Sequence, residues 1–460
     1  MDVTFWGAVE TVTGSRFVVQ AGDRRVLVDC GMYQGLKRLR ELKWAPFPVD
    51  PASLDAVVLT HAHIDHTGYL PVLVRDGFAG DVWCTPSTAA LAEILLPDSA
   101  RIQEEDARYA NKRHSSKHAP ALPLYTEEDA QRALERLRPC DFDTPFAPAT
   151  GIEARFSRAG HIVGAASVWV GAEGASVLFS GDLGRTDDLI MLPPAPPPVA
   201  DHIVVESTYG NRRHPDEHPA DVLASVVKET ARRGGILLVP VFAVGRAQAV
   251  LHLLTRLRAE GRIPTVPTFL NSPMAVDVTE LFLASSGEHR LDEGQLHQLR
   301  EGVELVRTVE ESIRLTARRG PMVVLSASGM LSGGRVLHHL RQVAPDHRST
   351  ILLVGFQAAG TRGEALRNGA RSIRVFGEDV PVRAEVVHLD SLSAHADAEQ
   401  LMAWLGAAPR PPSGVSVVHG EPDAADTLRR RIQHELGWPA TVPWRGEQVS
   451  VPGGLEGGAS

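Results

Sequence analysis

The chain is poor in the residues that mark whole classes of protein. It has three cysteines, Cys30, Cys84 and Cys140, in no metal-binding or disulfide spacing. That excludes a disulfide-stapled secreted scaffold and fits a reducing compartment with structural thiols. Phe, Trp and Tyr together make up only 5% of the residues, so the sequence advertises no platform for stacking bases. It also lacks a positive excess. The 47 basic residues against 56 acidic ones leave a formal net charge of −9, so no global field draws the protein to nucleic acid or an anionic membrane. A polyanionic substrate would have to be met by metal ions and a local basic groove. No apolar run approaches the roughly 20 residues needed to span a bilayer. The N-terminus, MDVTFWGAVETV, lacks the charged-then-apolar pattern of a secretory signal. The expectation is a cytoplasmic protein with no membrane partner. The hydrophobic content of 43% is ordinary for a globular chain, and 460 residues suggest two or three domains.

Histidine, by contrast, is concentrated. The stretch LTHAHIDHTG, Leu59 to Gly68, contains His61, His63, Asp65 and His66 in the pattern H-x-H-x-D-H. It follows the apolar run of residues 55–60, which reads as a buried strand, and precedes a helical pattern beginning at Tyr69. Loops at sheet ends carry chemistry more often than other segments do. Imidazole nitrogen and carboxylate oxygen are the ligand set of zinc. In an extended turn His61 and His63 can bind one ion together, while Asp65 and His66 point to a neighbouring position. A histidine-rich polar loop is the bland alternative, and four ligand-type side chains in six residues disfavour it.

Along the rest of the chain, residues 3–30 read as an antiparallel meander with an Ala-Gly-Asp turn at 21–23. Asp29 ends its last strand, either as a turn former or as a carboxylate that orients the histidine loop. Strand and helix alternate through 55–96, and 98–138 is charged and helix-prone, with a capped helix start near Tyr125. The basic cluster at 111–118 reads as a solvated helix end or loop. His161 and Asp182 each stand at a glycine-flanked strand end. Singly each reads as a turn residue; with the 61–66 loop they complete a ligand set. The proline run at 193–198 is a stiff approach to a domain boundary. A second alternation of strands and helices follows, indicating a parallel, doubly wound sheet. His395 and His419 then stand at two further strand ends. The boundaries expected are 1–199, 200–376 and 377–452, with a flexible tail at 453–460.

THAHIDHTG resembles the signature loop of the metallo-β-lactamase fold. The segments VESTYG (205–210), SAHAD (393–397) and VHGE (418–421) resemble motifs A, B and C of the β-CASP subfamily. FAVGRAQ (242–248), NSPM (271–274) and SASGMLSGGR (326–335) are similar to the branch that includes the cleavage-and-polyadenylation endonuclease and its bacterial relatives. The resemblance implies an αββα sandwich with an inserted α/β cap, and a nuclease using two zinc ions. It assigns His61, His63 and His161 to one zinc and Asp65, His66 and His419 to the other, with Asp182 bridging. It makes Asp29 the first motif of the fold and counts Asp29, Asp65, Glu206 and His395 as catalytic, His395 acting at the scissile phosphate with Glu206 behind it. A histidine at position 419 is similar to the RNA-processing members rather than the DNA-repair branch. Family members often dimerise, which makes a homodimer an expectation.

The chemistry agrees with the resemblance. Two metals about 3.5–4 Å apart can generate a nucleophile from water and stabilise charge on the phosphoryl group. His395, kept partly protonated by Glu206, could deliver a proton towards the departing oxygen; without the resemblance, a core histidine with its carboxylate would be the better reading. Arg246, Ser326, Ser328, Gly329 and Arg335 could hold backbone phosphates of RNA. The expected activity is zinc-dependent hydrolysis of RNA phosphodiester bonds, internally, from the 5′ end, or both. A DNA nuclease and a non-catalytic RNA-binding relative are the alternatives. A small-molecule hydrolase would leave the inserted domain unexplained.

Overall fold

The computed structural model describes residues 1–113, 118–355, 357 and 360–453. Residues 114–117 of the basic cluster and the 454–460 part of the expected tail lie outside them. The chain divides into two compact units, Met1–Asp188 with Leu192–Arg213 and His395–Ser460, and Leu189–Met191 with His214–Ala394.

The first unit is built on two seven-stranded sheets. One runs in the order Gln448–Ser450, Asp2–Phe5, Phe17–Ala21, Arg24–Val28, Ala56–Val58, Asp81–Cys84, Leu137–Pro139. The other runs Ala440–Thr441, Gly414–Val418, His202–Glu206, Ala175–Phe179, Ala166–Ala172, Ile152–Arg158, Pro145–Ala149. The expected meander is present: Asp2–Phe5, Phe17–Ala21 and Arg24–Val28 pair antiparallel, turning at Gly22 with φ +56°. The alternating pattern of Ile152–Arg158 buries Ile152, Ala154 and Phe156. These, with Phe179 of the same sheet, meet Phe5, Phe17, Val19 and Val28 of the first sheet in one apolar core. Each fully buried large side chain there contributes about 1.5–3 kcal/mol. The outer face of the first sheet is covered by Leu70–Arg75, Pro86–Arg113 and Glu127–Leu134, and helix Pro422–Arg431 packs on the second sheet. The expected helix start near Tyr125 is there: Thr126 and Asp129 form a reciprocal capping box.

The second unit holds a six-stranded sheet in the order Glu304–Leu305, Thr268–Leu270, Met322–Ser326, Ile236–Pro240, Thr350–Val354, Glu385–Leu389. Every pairing in it is parallel, as strands alternating with helices require.

Two of the expected boundaries shift. Strand His202–Glu206, assigned to the inserted domain, pairs in parallel with both Ala175–Phe179 and Gly414–Val418 and is therefore central to the first unit. Strand Glu385–Leu389, assigned to the returning domain, pairs instead with Thr350–Val354 in the second unit. Both are short runs, the first buried throughout and the second half-buried beyond its exposed Glu385, and the local pattern of such a strand does not say which sheet it joins.

Candidate active site

The first unit brings the carboxyl ends of five parallel strands together. Asp29 follows Arg24–Val28, and the histidine turn follows Ala56–Val58. Asp182 follows Ala175–Phe179, Glu206 ends His202–Glu206, and His419 follows Gly414–Val418. His161 arrives from the connection between two antiparallel strands, and His395 from the segment before helix Ala398–Gly406, where it bridges to Gly184.

The histidine turn is pinned from behind. Backbone N–H groups of Ser15, Cys30 and Met32 donate to the carbonyls of Asp65, His66 and Ile64 at 2.9, 2.7 and 3.0 Å. Gly31 admits this approach, because a Cβ there would lie 1.7 Å from the Asp65 carbonyl oxygen. Asp29 is buried, with φ +58°. Its carboxylate accepts from Thr60 N at 2.8 Å and Thr60 Oγ1 at 2.9 Å, and lies 2.7 Å from His66 Nδ1. Of the two readings of Asp29, the orienting carboxylate is the one its contacts support.

Two groups of donors result, His61, His63, His161 and Asp182 in one and Asp65, His66 and His419 in the other, and a third set, Asp182, Glu206 and His419, overlaps them; within each the ligand atoms lie within 4.8 Å of one another. In the first, His63 Nδ1 is 3.0 Å from His61 Nε2 and 3.3 Å from His161 Nε2. Asp182 Oδ2 is 3.5 Å from His61 Nε2 and 3.7 Å from His161 Nε2. In the second, His66 Nε2 is 3.2 Å from His419 Nε2, which is 3.5 Å from Asp65 Oδ2. The other oxygen of Asp182, Oδ1, is 3.4 Å from His66 Nε2. Asp182 thus addresses both groups, one oxygen to each.

This donor set fits zinc. A tetrahedral ion bound at about 2.0–2.1 Å places neighbouring ligand atoms about 3.3–3.4 Å apart, close to the spacings above. Burial first of all, with neighbouring histidines, pushes His61 and His161 well below the usual histidine pKa and His63 down to about 4. They are therefore neutral, as ligands must be. Burial would raise Asp65, but the His419 hydrogen bond and surrounding imidazoles outweigh it and bring its pKa to about 2. Asp182 has no hydrogen-bond donor on its buried Oδ1, which leaves a lone pair for a cation.

Beside the two groups stands a second constellation. Both oxygens of Glu206 lie 3.2 Å from His395 Nδ1. Glu206 also accepts from Leu183 N at 2.7 Å and Thr208 N at 3.2 Å. The His395 ring is 4.5 Å from that of His161, centroid to centroid, and its side chain keeps 19% of its exposure against 1% for Glu206. Burial lowers the His395 pKa, yet the Glu206 charge and hydrogen bond, with the charges of Asp182 and Asp65, together outweigh it and the net direction is upward.

Of the residues expected to hold RNA phosphates, three are committed elsewhere. Arg246 is buried and donates to the Leu392 carbonyl. Arg335 donates to Asn271 Oδ1 at 3.0 Å and to the Arg307 carbonyl at 2.8 Å. Ser326 is buried and donates to the Asn271 carbonyl. Their hydrogen bonds brace the second unit's own loops. Ser328 remains half-buried, and Gly329 packs its Cα against Phe242. Thr60 and Thr208, which touch His61 and His419, were passed over in the sequence, although each sits inside a quoted motif or directly before one.

Residues 11–225 match the metallo-β-lactamase superfamily, 247–366 the Beta-Casp domain, and 379–443 the Zn-dependent metallo-hydrolase RNA specificity domain. The chain is 38% identical over 459 residues to Ribonuclease TTHA0252 of Thermus thermophilus, covering 98% of each. It is 31% identical to the transcription termination factor FttA of Methanocaldococcus jannaschii, over 96% of this chain and 70% of that one. An RNase J-like protein from the same archaeon is 29% identical, over 97% and 99%. A crystal structure of a protein of unknown function from Enterococcus faecalis shares the fold, with a TM-score of 0.55 at 14% identity over 97% of this chain and 99% of that one. With its strand-end histidines, its two donor groups and this full-length likeness, the chain belongs to the β-CASP family of the metallo-β-lactamase superfamily.

Proposed function

We propose that the protein is a zinc-dependent ribonuclease that hydrolyses RNA phosphodiester bonds, with two zinc ions in the donor groups described above. The observation that carries this reading is the convergence of seven ligand-type side chains, shared through Asp182, next to a histidine backed by a buried carboxylate. His61, His63, His161 and Asp182 would hold one ion; Asp65, His66, His419 and the other oxygen of Asp182 the second. Bound zinc supplies a nucleophile from water at neutral pH and neutralises charge on the phosphate.

The chain's own residues do the rest. Asp29 holds the ring of His66, and the backbone donors of Ser15, Cys30 and Met32 hold the turn, so the donors are set before substrate arrives. Glu206 accepts from His395 Nδ1, which leaves Nε2 as the ring's outward atom. From there His395 donates a proton to the oxygen that leaves phosphorus. The match to an RNA specificity domain and a ribonuclease relative supports RNA over DNA. Ser328 and Gly329 stay candidate phosphate contacts.

The test is digestion of end-labelled RNA bearing a 5′ monophosphate, triphosphate or hydroxyl, beside matched DNA, with and without chelator. Chelator-sensitive cutting of RNA is expected. Cutting that survives complete zinc removal, or that prefers DNA, would refute the proposal.

A further inference from the structure

Two threonine hydroxyls adjoin the donor groups, and their hydrogen bonds decide which ring nitrogen of a histidine carries its proton. Thr208 Oγ1 lies 3.1 Å from the carbonyl oxygen of His419 and 3.1 Å from Nδ1 of the same residue. A carbonyl can only accept, so the single hydroxyl proton is committed to it. Towards the ring, Oγ1 can then only accept, and Nδ1 must carry the hydrogen. His419 Nε2 is thereby left with its lone pair, and Nε2 is the atom facing Asp65 Oδ2 and His66 Nε2.

The same logic holds in the other group. Thr60 Oγ1 donates to Asp29 Oδ2 at 2.9 Å and so must accept from His61 Nδ1 at 3.1 Å. His61 Nε2, the atom next to His63 Nδ1 and Asp182 Oδ2, keeps its lone pair. His161 is the contrast: its buried Nδ1 has no hydrogen-bond partner among the described residues, and no hydroxyl fixes its tautomer.

Thr208 also acts on the backbone. His419 has φ +50°, a left-handed conformation that costs a Cβ-bearing residue about 1–2 kcal/mol. Its carbonyl accepts both Thr208 Oγ1 and Ser207 N, the latter at 3.3 Å, and its N–H donates to the Ala8 carbonyl at 2.7 Å. One hydroxyl therefore fixes the main chain and the ring of His419 together.

We propose that Thr208 and Thr60 are positioning residues, one for each donor group, that lock His419 and His61 in the Nδ1–H tautomer and aim Nε2 at the metal. This rests on the zinc reading given above. The test uses the full chain and reads zinc binding by chelator competition, not activity. Wild type is expected to bind two zinc ions. Thr208→Val, which keeps the shape and removes the hydroxyl, is expected to bind one of the two about 10–100-fold more weakly; Thr208→Ser is expected to restore it. Thr60→Val and Thr60→Ser are expected to behave likewise for the other ion. In case Thr208→Val unsettles the fold, the tautomers are read directly in zinc-free wild type by nitrogen–proton correlation of the histidine rings, with Nδ1–H expected for both. An Nε2–H tautomer at His419, unchanged zinc affinity in the Val variant, or a Ser variant as weak as the Val variant would each overturn the proposal. A wild type that binds no zinc would instead sink the reading beneath it.

Discussion

Replacing Glu206 by Gln isolates the contribution of one charge. Glu206 is buried, accepts from Leu183 N and Thr208 N, and faces His395 Nδ1 with both oxygens at 3.2 Å. Gln fills the same space, but its amide turns a donor towards a site where three donors already converge. His395 then keeps the burial that lowers its pKa and loses the carboxylate that raises it. An opposite charge at this range is worth about 1–3 pKa units. Above the lowered pKa the protonated fraction falls tenfold per unit, so at neutral to alkaline pH kcat should drop by roughly 10- to 1000-fold, overlapping the range for general acid catalysis. The sign follows from the direction of the shift. Activity that needs protonated His395 persists below its pKa and is lost as pH rises through it, so the alkaline limb of kcat should move to lower pH in the variant. Zinc content should stay at the wild-type value, because the Glu206 oxygens, although within reach of Asp182 and His419, are already taken by Leu183 N, Thr208 N and His395 Nδ1. The decisive arm is an RNA whose scissile bond has sulfur in place of the leaving oxygen. A thiolate departs without a proton, and the variant should cut this substrate nearly as well as wild type. An unmoved alkaline limb with full kcat, or a defect that sulfur does not relieve, would refute the reasoning.

Removing zinc should lower the melting temperature. An ion held at a free concentration 1000 times its Kd stabilises by about 4 kcal/mol; with an unfolding entropy of about 1 kcal/mol/K for a chain of 460 residues, chelation should cost roughly 4 °C per ion, and calorimetry showing no shift would mean the groups hold no metal. Asp29→Asn can keep the φ of +58° but turns an amide donor towards the Thr60 hydroxyl or His66 Nδ1. It should weaken zinc by about 10–100-fold while the fold is retained, and circular dichroism beside a zinc titration would separate the two effects. Arg335→Ala strips the Asn271 and Arg307 acceptors of a partner and should destabilise by about 1–3 kcal/mol with KM for RNA unchanged. A raised KM at unaltered stability would return Arg335 to the RNA surface.

What could be read from the sequence was local. The spacing of His61, His63, Asp65 and His66 after an apolar run specifies a strand-end turn of donors, and the fold places those donors together. His161 and Asp182 each read as a turn residue alone, and become legible only as a set with the histidine turn. The two shifted boundaries show the other side of this. His202–Glu206 and Glu385–Leu389 have strand patterns that any sheet could accept, and only pairing decides between sheets. The arginines meet a related ambiguity. Arg246 and Arg335 were assigned by charge and neighbourhood, yet a guanidinium is equally satisfied by a protein carbonyl and by a phosphate, and here the carbonyls took both.

The hydroxyls of Thr60 and Thr208 mark the limit of such reading. A threonine beside a histidine in sequence says nothing about which ring nitrogen it meets, because that depends on where its own proton goes. At Thr60 the acceptor is a carboxylate 31 residues away in sequence; at Thr208 it is a carbonyl 211 residues away. Each acceptor reaches the hydroxyl only because two strands end side by side, Arg24–Val28 against Ala56–Val58 and His202–Glu206 against Gly414–Val418. Strand pairing thus does more than carry the donors to one place. It fixes the direction of each hydroxyl proton, and through it the nitrogen that each ring offers. A change that slipped either pair by one residue would carry that hydroxyl away from its acceptor and cost zinc affinity, even with every proposed ligand still in the sequence.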